Sequence, residues 1–176
     1  MIFTELSLPG AFVVDIQPME DERGFFARGW CRKEFQAHSL ASEFVQRNIG
    51  FSRRKGTLRG MHYQAAPHAE VKLVRCTRGA VCDVIVDLRE ESRTFKRWHA
   101  VELSADNHRM IYVPEGFAHG YLTLTDDAEI YYDTTCFYDP GSARGVRFDD
   151  PAFAVQWPAS PVVISEKDTG YPDFPS

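Results

Sequence analysis

The sequence predicts an all-β protein, a sandwich, jelly roll or barrel built from many short strands. Three observations carry this reading. From residue 44 to 139 the chain is a series of short segments with strand-like alternation, separated by turn residues. Before the C-terminal region only residues 31–42 suit a helix, and there Arg32-Lys33-Glu34-Phe35-Gln36-Ala37 are good helix formers in a stretch too short to be stable alone. From residue 140 onward the chain is loop-rich, with Trp157-Pro158, Ser160-Pro161 and a Tyr171-Pro172-Asp173-Phe174-Pro175 tail suited to wrapping a surface.

Taken in order, residues 1–30 read as an extended arm. A strand over 11–16 is followed by the charged turn Asp21-Glu22-Arg23-Gly24 and a second short strand over 25–30. The adjacent Phe25 and Phe26 in so thin an arm need cover from the protein body, from a second subunit or from a flat ring. In the core segment, residues 44–52 alternate, with Gln46, Asn48, Gly50 and Ser52 on one face. Leu58–Gln64 is the next strand. Residues 71–76 and 80–88 flank Thr77-Arg78-Gly79 and read as a hairpin. Residues 98–103, Met110–Val113, 120–125 and 128–135 supply further strands, the last with Ala128, Ile130, Tyr132 and Thr134 facing inward.

The 176 residues suit a single domain, with 1–30 as the arm, 44–139 as the core and 140–176 as the wrap. A net charge of -5 argues against non-specific nucleic-acid binding, though local arginines can still hold a small anion. Cys31, Cys76, Cys82 and Cys136 form no Cys-x-x-Cys pair and read as free thiols in a reducing cytoplasm. The N-terminus has no signal-peptide pattern, and no stretch approaches the roughly 20 apolar residues of a membrane span.

Chemistry concentrates in Gly56-Thr57-Leu58-Arg59-Gly60-Met61-His62-Tyr63-Gln64 and in Lys72. A guanidinium grips an anion, an imidazole moves a proton, and an ammonium offsets developing negative charge. Strict alternation puts His62 and Arg59 on opposite faces, so they share a pocket only if the strand is bulged, which Gly60 permits. Lys72, if buried, must pair with a carboxylate or face an anion. Pro114-Glu115-Gly116-Phe117-Ala118-His119 carries the Pro-x-Gly-x-x-His spacing of a cupin motif. The matching first motif, His62-Tyr63-Gln64, lacks the second histidine of a metal site, and His68 and Glu70 stand at the wrong spacing. Tyr132 brings a phenol inward and Tyr138 lies six residues on. Asp168, in the charged run Ser165-Glu166-Lys167-Asp168, could fold back to orient His62.

Together these pieces resemble the dTDP-4-dehydrorhamnose 3,5-epimerases, the RmlC-type cupins of nucleotide-sugar metabolism. The resemblance runs from about Phe12 to Asp168, through Asp21-x-Arg23-Gly24-x-Phe26, Gln46-x-Asn48, Leu58-Arg59-Gly60-x-His62-Tyr63-Gln64, Lys72-Leu73-Val74, Asp83-Val84-x-Val86-Asp87-Leu88-Arg89, Pro114-x-Gly116-Phe117-Ala118-His119-Gly120, Tyr132 with Tyr138, and Ser165-x-Lys167-Asp168. It implies a cupin-type jelly-roll barrel, dimeric, with its N-terminal arm reaching a partner subunit. It also implies a cofactor-free, metal-free epimerisation at C3, C5 or both of a nucleoside-diphosphate 4-keto-6-deoxyhexose. In that scheme His62, oriented by Asp168, is the base, Lys72 stabilises the enolate and Tyr132 returns a proton on the opposite face. Arg23 and Arg59 hold the diphosphate. Gln46, Asn48, Phe26 and Tyr138 line the sugar and base sites, and His119 supports the pocket.

The chain departs from the family pattern at Gly50, where serine is common, and at Arg28, where glutamate is common near the nucleobase. Arginine can donate to cytosine N3, so a CDP carrier is an alternative to dTDP. Two other functions remain open at this level: a metal-dependent cupin using His62, His68, Glu70 and His119, and a sugar-nucleotide-binding protein without catalysis.

Overall fold

A computed structural model of the chain describes residues 1–175 and contains two antiparallel sheets. The strands are β1 (Ile2–Glu5), β2 (Phe12–Asp15), β3 (Met19–Asp21), β4 (Gly24–Phe26), β5 (Gln46–Ser52), β6 (Leu58–Gln64), β7 (Lys72–Arg78), β8 (Ala80–Asp87), β9 (Trp98–Ser104), β10 (Met110–Val113), β11 (Phe117–Thr123), β12 (Ala128–Thr134) and β13 (Ala143–Gly145). Two short helices complete the set, α1 (Arg32–Ala37) and α2 (Glu166–Thr169). One sheet runs β1-β2-β10-β7-β12-β5, the other β13-β6-β11-β8-β9, and β3 and β4 form a separate ribbon. Among the described residues no strand of one main sheet pairs with a strand of the other. The all-β expectation holds, but the jelly roll is an open sandwich and not a closed barrel.

Period-2 alternation explains the core. Val74 and Cys76 of β7, Ile111 and Val113 of β10, and Ala128 and Ile130 of β12 point between the sheets. They meet Val81 and Ile85 of β8, Val101 and Leu103 of β9, and Phe117 and Tyr121 of β11. The outer face of the first sheet is closed by α1, whose Phe35 is fully buried among Val14, Leu73, Met110 and Tyr112. Burial of that one ring contributes about 2–3 kcal/mol, which lets a six-residue helix persist. The C-terminal wrap closes the other face, where Phe153 and Val146 pack on Met61, Val84, Val86 and Ala118.

The expected hairpin at Gly79 is a corner instead. β7 already has β10 and β12 on its two edges, and β8 has β11 and β9, so the turn carries the chain from one sheet to the other. Gly79 takes φ +71°, and a Cβ there would lie 2.2 Å from Thr125 Oγ1. Four elements go beyond the strands and helix read from the sequence: β1, which pairs with β2; β3, which pairs with β4; β13, which pairs with β6; and α2. Among the described residues no helix is long and apolar enough to cross a membrane.

Candidate active site

A cavity of about 730 Å³ lies between the sheets, within the range usual for small-molecule sites. Alternation builds one wall. Gln46, Asn48 and Gly50 of β5 face inward, and Tyr132 of β12 stands opposite Asn48 in the antiparallel register. The outward partners are also satisfied, since Asp133 pairs with Arg47 and so points away from Tyr132. The facing wall comes from β6 and β11, which contribute Arg59, His62, Gln64, His119 and Tyr121. Lys72 opens β7, Tyr138 follows β12, and Asp168 arrives from α2.

Arg59 and His62 share this cavity because β6 is bulged. His119 pairs with His62 and Tyr121 with Arg59, so three steps on β6 span two on β11. The extra residue sits at Gly60, whose φ is +128° and whose added Cβ would meet the Gly120 Cα at 2.5 Å. Gly120 is equally confined, since its Cβ would lie 2.8 Å from the Arg59 carbonyl oxygen. Two strands approach backbone to backbone, and only glycine at both positions allows it. Gly60→Ala is expected to destabilise the fold by roughly 2–5 kcal/mol, from left-handed backbone strain plus overpacking against backbone that cannot give way. Thermal and urea unfolding of the variant measures this.

His62 Nε2 lies 2.6 Å from Asp168 Oδ1. Asp168 is 3% exposed and also accepts a hydrogen bond from the Gly60 amide at 3.3 Å. Its backbone is held by Ser165, which caps α2 by accepting from the Asp168 amide at 3.1 Å. Burial pushes the Asp168 carboxyl upward, but the hydrogen bonds and the charge of His62 outweigh burial and hold it below the usual carboxylate range. An ionised Asp168 accepts the Nε2 proton of His62, which leaves Nδ1 as the basic nitrogen. The His62 ring remains partly open to the cavity, with Tyr171 packed edge-on at 6.3 Å between centroids.

Lys72 is 7% exposed. Its ammonium donates to the His62 carbonyl oxygen at 3.1 Å and pairs with Glu70 Oε1 at 3.3 Å. Glu70 is itself tied by Gln64, whose Nε2 donates to Glu70 Oε2 at 3.3 Å. Burial lowers the Lys72 pKa and Glu70 opposes that shift. An ammonium has three donors, so one is left for a ligand oxygen. The Tyr132 phenol is pushed upward by burial and by Glu70, with Arg59 acting in the other direction. His119 is buried and Nε2 bonds Asp83 Oδ2 at 2.8 Å, a support for the cavity floor. Arg59 is anchored at the rim by donating to the Phe51 carbonyl oxygen at 2.9 Å and to Ser52 Oγ at 3.2 Å. Gln46 donates to Asn48 Oδ1 at 3.2 Å and accepts from the Tyr138 amide at 3.1 Å, so the two polar wall residues and the aromatic cover are locked together.

The expected residues His62, Asp168, Tyr132, Lys72, Arg59, Gln46, Asn48, His119 and Tyr138 therefore line one cavity. Arg23, Phe26 and Arg28 do not. Arg23 pairs with Asp21 at 2.5 Å on the β3–β4 ribbon, Arg28 pairs with Glu34 at 2.5 Å, and Phe26 is 70% exposed. The sequence reading missed Glu70 as the partner of Lys72, Asp83 as the partner of His119, and Tyr121 as a wall residue whose buried phenol is pushed up to about 12. A buried cation at Lys72 requires a nearby carboxylate, and that requirement is the sequence signal pointing to Glu70. Among the described residues no three His, Cys, Asp or Glu side chains gather as a metal-ligand set. His62 is turned to Asp168, His119 to Asp83, His68 to Ser142 and Glu70 to Lys72, so the four residues of the metal alternative do not converge.

A two-sheet fold holding a polar cavity of this kind is that of the RmlC-type cupins. The chain belongs to the dTDP-4-dehydrorhamnose 3,5-epimerase family, whose model matches residues 5–176. It is 44% identical over 162 residues to the dTDP-4-dehydrorhamnose 3,5-epimerase of Shigella flexneri, covering 92% of this chain and 89% of that one. Its fold is similar to the crystal structure of the Elizabethkingia anophelis dTDP-4-dehydrorhamnose 3,5-epimerase, with a TM-score of 0.95, 40% identity and coverage of 99% and 96% of the two chains. The Bacillus anthracis dTDP-4-dehydrorhamnose 3,5-epimerase, solved with TDP and PPi bound, gives a TM-score of 0.94 at 38% identity over 98% of this chain and 99% of that one.

Proposed function

We propose that this protein is an isomerase that inverts C3 and C5 of a dTDP-linked 4-keto-6-deoxyhexose through an enolate, without a cofactor. The observation that carries the proposal is the His62–Asp168 pair at 2.6 Å facing the same cavity as Lys72 and Tyr132. The 4-keto group acidifies the protons on its neighbouring carbons. His62 Nδ1 removes one of them, and Asp168 stabilises the imidazolium that forms. The third Lys72 proton meets the oxygen on which charge develops. Tyr132, on β12 across the cavity from β6, delivers a proton to the opposite face and so inverts the centre. Arg59 at the rim receives the diphosphate, for which a fork of N–H donors is suited.

Thymidine is the better supported carrier. The Bacillus anthracis relative holds TDP, and Arg28, which prompted the cytidine alternative, is bonded to Glu34 of its own chain. The free thiols support a cytoplasmic setting. The test is turnover of dTDP-4-keto-6-deoxyglucose in D₂O, read by NMR. Deuterium is expected at C3 and C5 with inversion, in enzyme dialysed against chelator as in untreated enzyme; no exchange at either carbon overturns the reading. Tyr132→Phe is expected to lose inversion by about 10²-fold while His62-dependent exchange persists.

The exposed ribbon supports a homodimer. Met19 is 64% exposed, Phe25 48% and Phe26 70%, an apolar surface on a thin arm that Arg23 shares and that stays outside its own cavity. A second copy of this chain, receiving Arg23 and Phe26 at its diphosphate and base sites, gives these residues a role. Subunits carrying Arg23→Ala, refolded together with subunits carrying His62→Ala, are expected to recover turnover at low KM that neither parent shows. In the mixed dimer one cavity has both residues intact.

A further inference from the structure

Glu70 has no part in the proton transfers or substrate contacts proposed above, yet it is the carboxylate paired with the Lys72 ammonium, at 3.3 Å, and its side chain is only 12% exposed. We propose that Glu70 is the positioning residue that keeps the Lys72 ammonium charged and aimed at the substrate's carbonyl oxygen. The inference rests on the enolate reading for the oxygen's identity, but not for the Glu70–Lys72 interaction.

The geometry is built from two sides. Glu70 Oε1 takes one Lys72 proton and the His62 carbonyl oxygen takes another, which fixes the direction of the third. Glu70 Oε2 is held by Gln64, and Gln64 is held in turn by accepting from the Asp139 amide at 2.7 Å and donating to the His68 and Phe137 carbonyl oxygens at 3.0 and 3.2 Å. The carboxylate is therefore held by a Gln64 side chain that three further polar contacts keep in place, and it cannot swing freely with the substrate. A buried ammonium without a counter-charge gives up its proton instead of remaining ionised. The other groups facing this point do not replace Glu70. Asp83 on β8 acts on Lys72 from further away and is engaged by His119 of β11. Tyr132 on β12 is a neutral phenol with a raised pKa, His62 of β6 bonds Lys72 through its backbone, and Arg59 bears the same sign as Lys72. Glu70 also helps keep Tyr132 protonated, so one carboxylate holds both the cation and the acid in their working forms.

The test is Glu70→Gln, which is isosteric and retains an acceptor for Gln64, with Glu70→Asp as the charge-conserving control. In Glu70→Gln the alkaline limb of the kcat–pH profile is expected to move to lower pH by about one unit, kcat to fall about tenfold and KM to change less than about twofold. Glu70→Asp is expected to restore the limb. Lys72 titration is followed without substrate by NMR of ¹³Cε-labelled lysine, the resonance assigned by its loss in Lys72→Arg, and is expected to shift down in Glu70→Gln. A limb and a Lys72 titration that stay at their wild-type pH overturn the proposal. If wild-type enzyme fails to turn over the keto sugar, the functional reading falls while the Lys72 titration still decides the part assigned to Glu70.

Discussion

His62→Ala is expected to lower kcat by about 10³-fold and to abolish deuterium entry from D₂O at the carbons beside the ketone, because a positioned base typically contributes 10²–10⁴. The variant isolates the base. Lys72 donates to the His62 backbone carbonyl and not to the ring, so alanine leaves the ammonium where it is. The ring is also partly exposed, and its removal vacates cavity surface without opening the core. Binding of dTDP should therefore change little. Asp168→Asn is expected to give a smaller loss, since Nε2 keeps a hydrogen-bond partner but the imidazolium loses its counter-charge. The stability contribution of Asp168 has a definite sign. Its carboxyl is held below the usual range in the fold, so that contribution is present above the ordinary aspartate pKa and is lost as pH falls through the lower folded value. Exchange persisting at wild-type rate in His62→Ala would remove His62 from the role of base.

Lys72→Met is the second large effect. Loss of a donor aimed at a developing oxyanion costs about 10²–10³ in kcat, and methionine keeps the chain length while removing the charge. The substitution also strands the Glu70 carboxylate, which is buried beside it, and breaking such a pair costs about 3 kcal/mol of stability. The two consequences separate in the double variant Lys72→Met, Glu70→Gln. Unfolding by urea is expected to return toward wild type, because no unpaired charge remains, while turnover stays at the level of the single variant. Recovery of turnover along with stability would mean that Lys72 serves the fold and not the enolate.

Legibility in the sequence followed how local each signal was. The inward faces of β5 and β12 come from a period of two, and the structure puts Gln46, Asn48, Ile130 and Tyr132 on the cavity as that period requires. Helix α1 was read from propensity, although its persistence depends on Phe35 finding a pocket in the sheet. The turn at Gly79 was recognised and its consequence was not. A glycine at positive φ suits a hairpin and a corner equally, and the choice is made by which strand edges other segments occupy.

By itself, the sequence determined the strand-rich class, the inward faces, and the presence of an imidazole, an ammonium and a phenol in segments that had to be partly buried. The motif order also marked the family. Tertiary structure decided the rest, because each remaining point is a meeting of residues distant in the chain. Asp168 looks like part of a charged surface loop until α2 brings it 106 positions back to His62. Arg59 and His62 can face one cavity because the Gly60 and Gly120 backbones touch, a contact that alternation within a single strand cannot encode. Arg23 and Phe26 carry a family motif, yet they lie on a ribbon outside their own cavity, a placement that no pattern within the ribbon's sequence encodes.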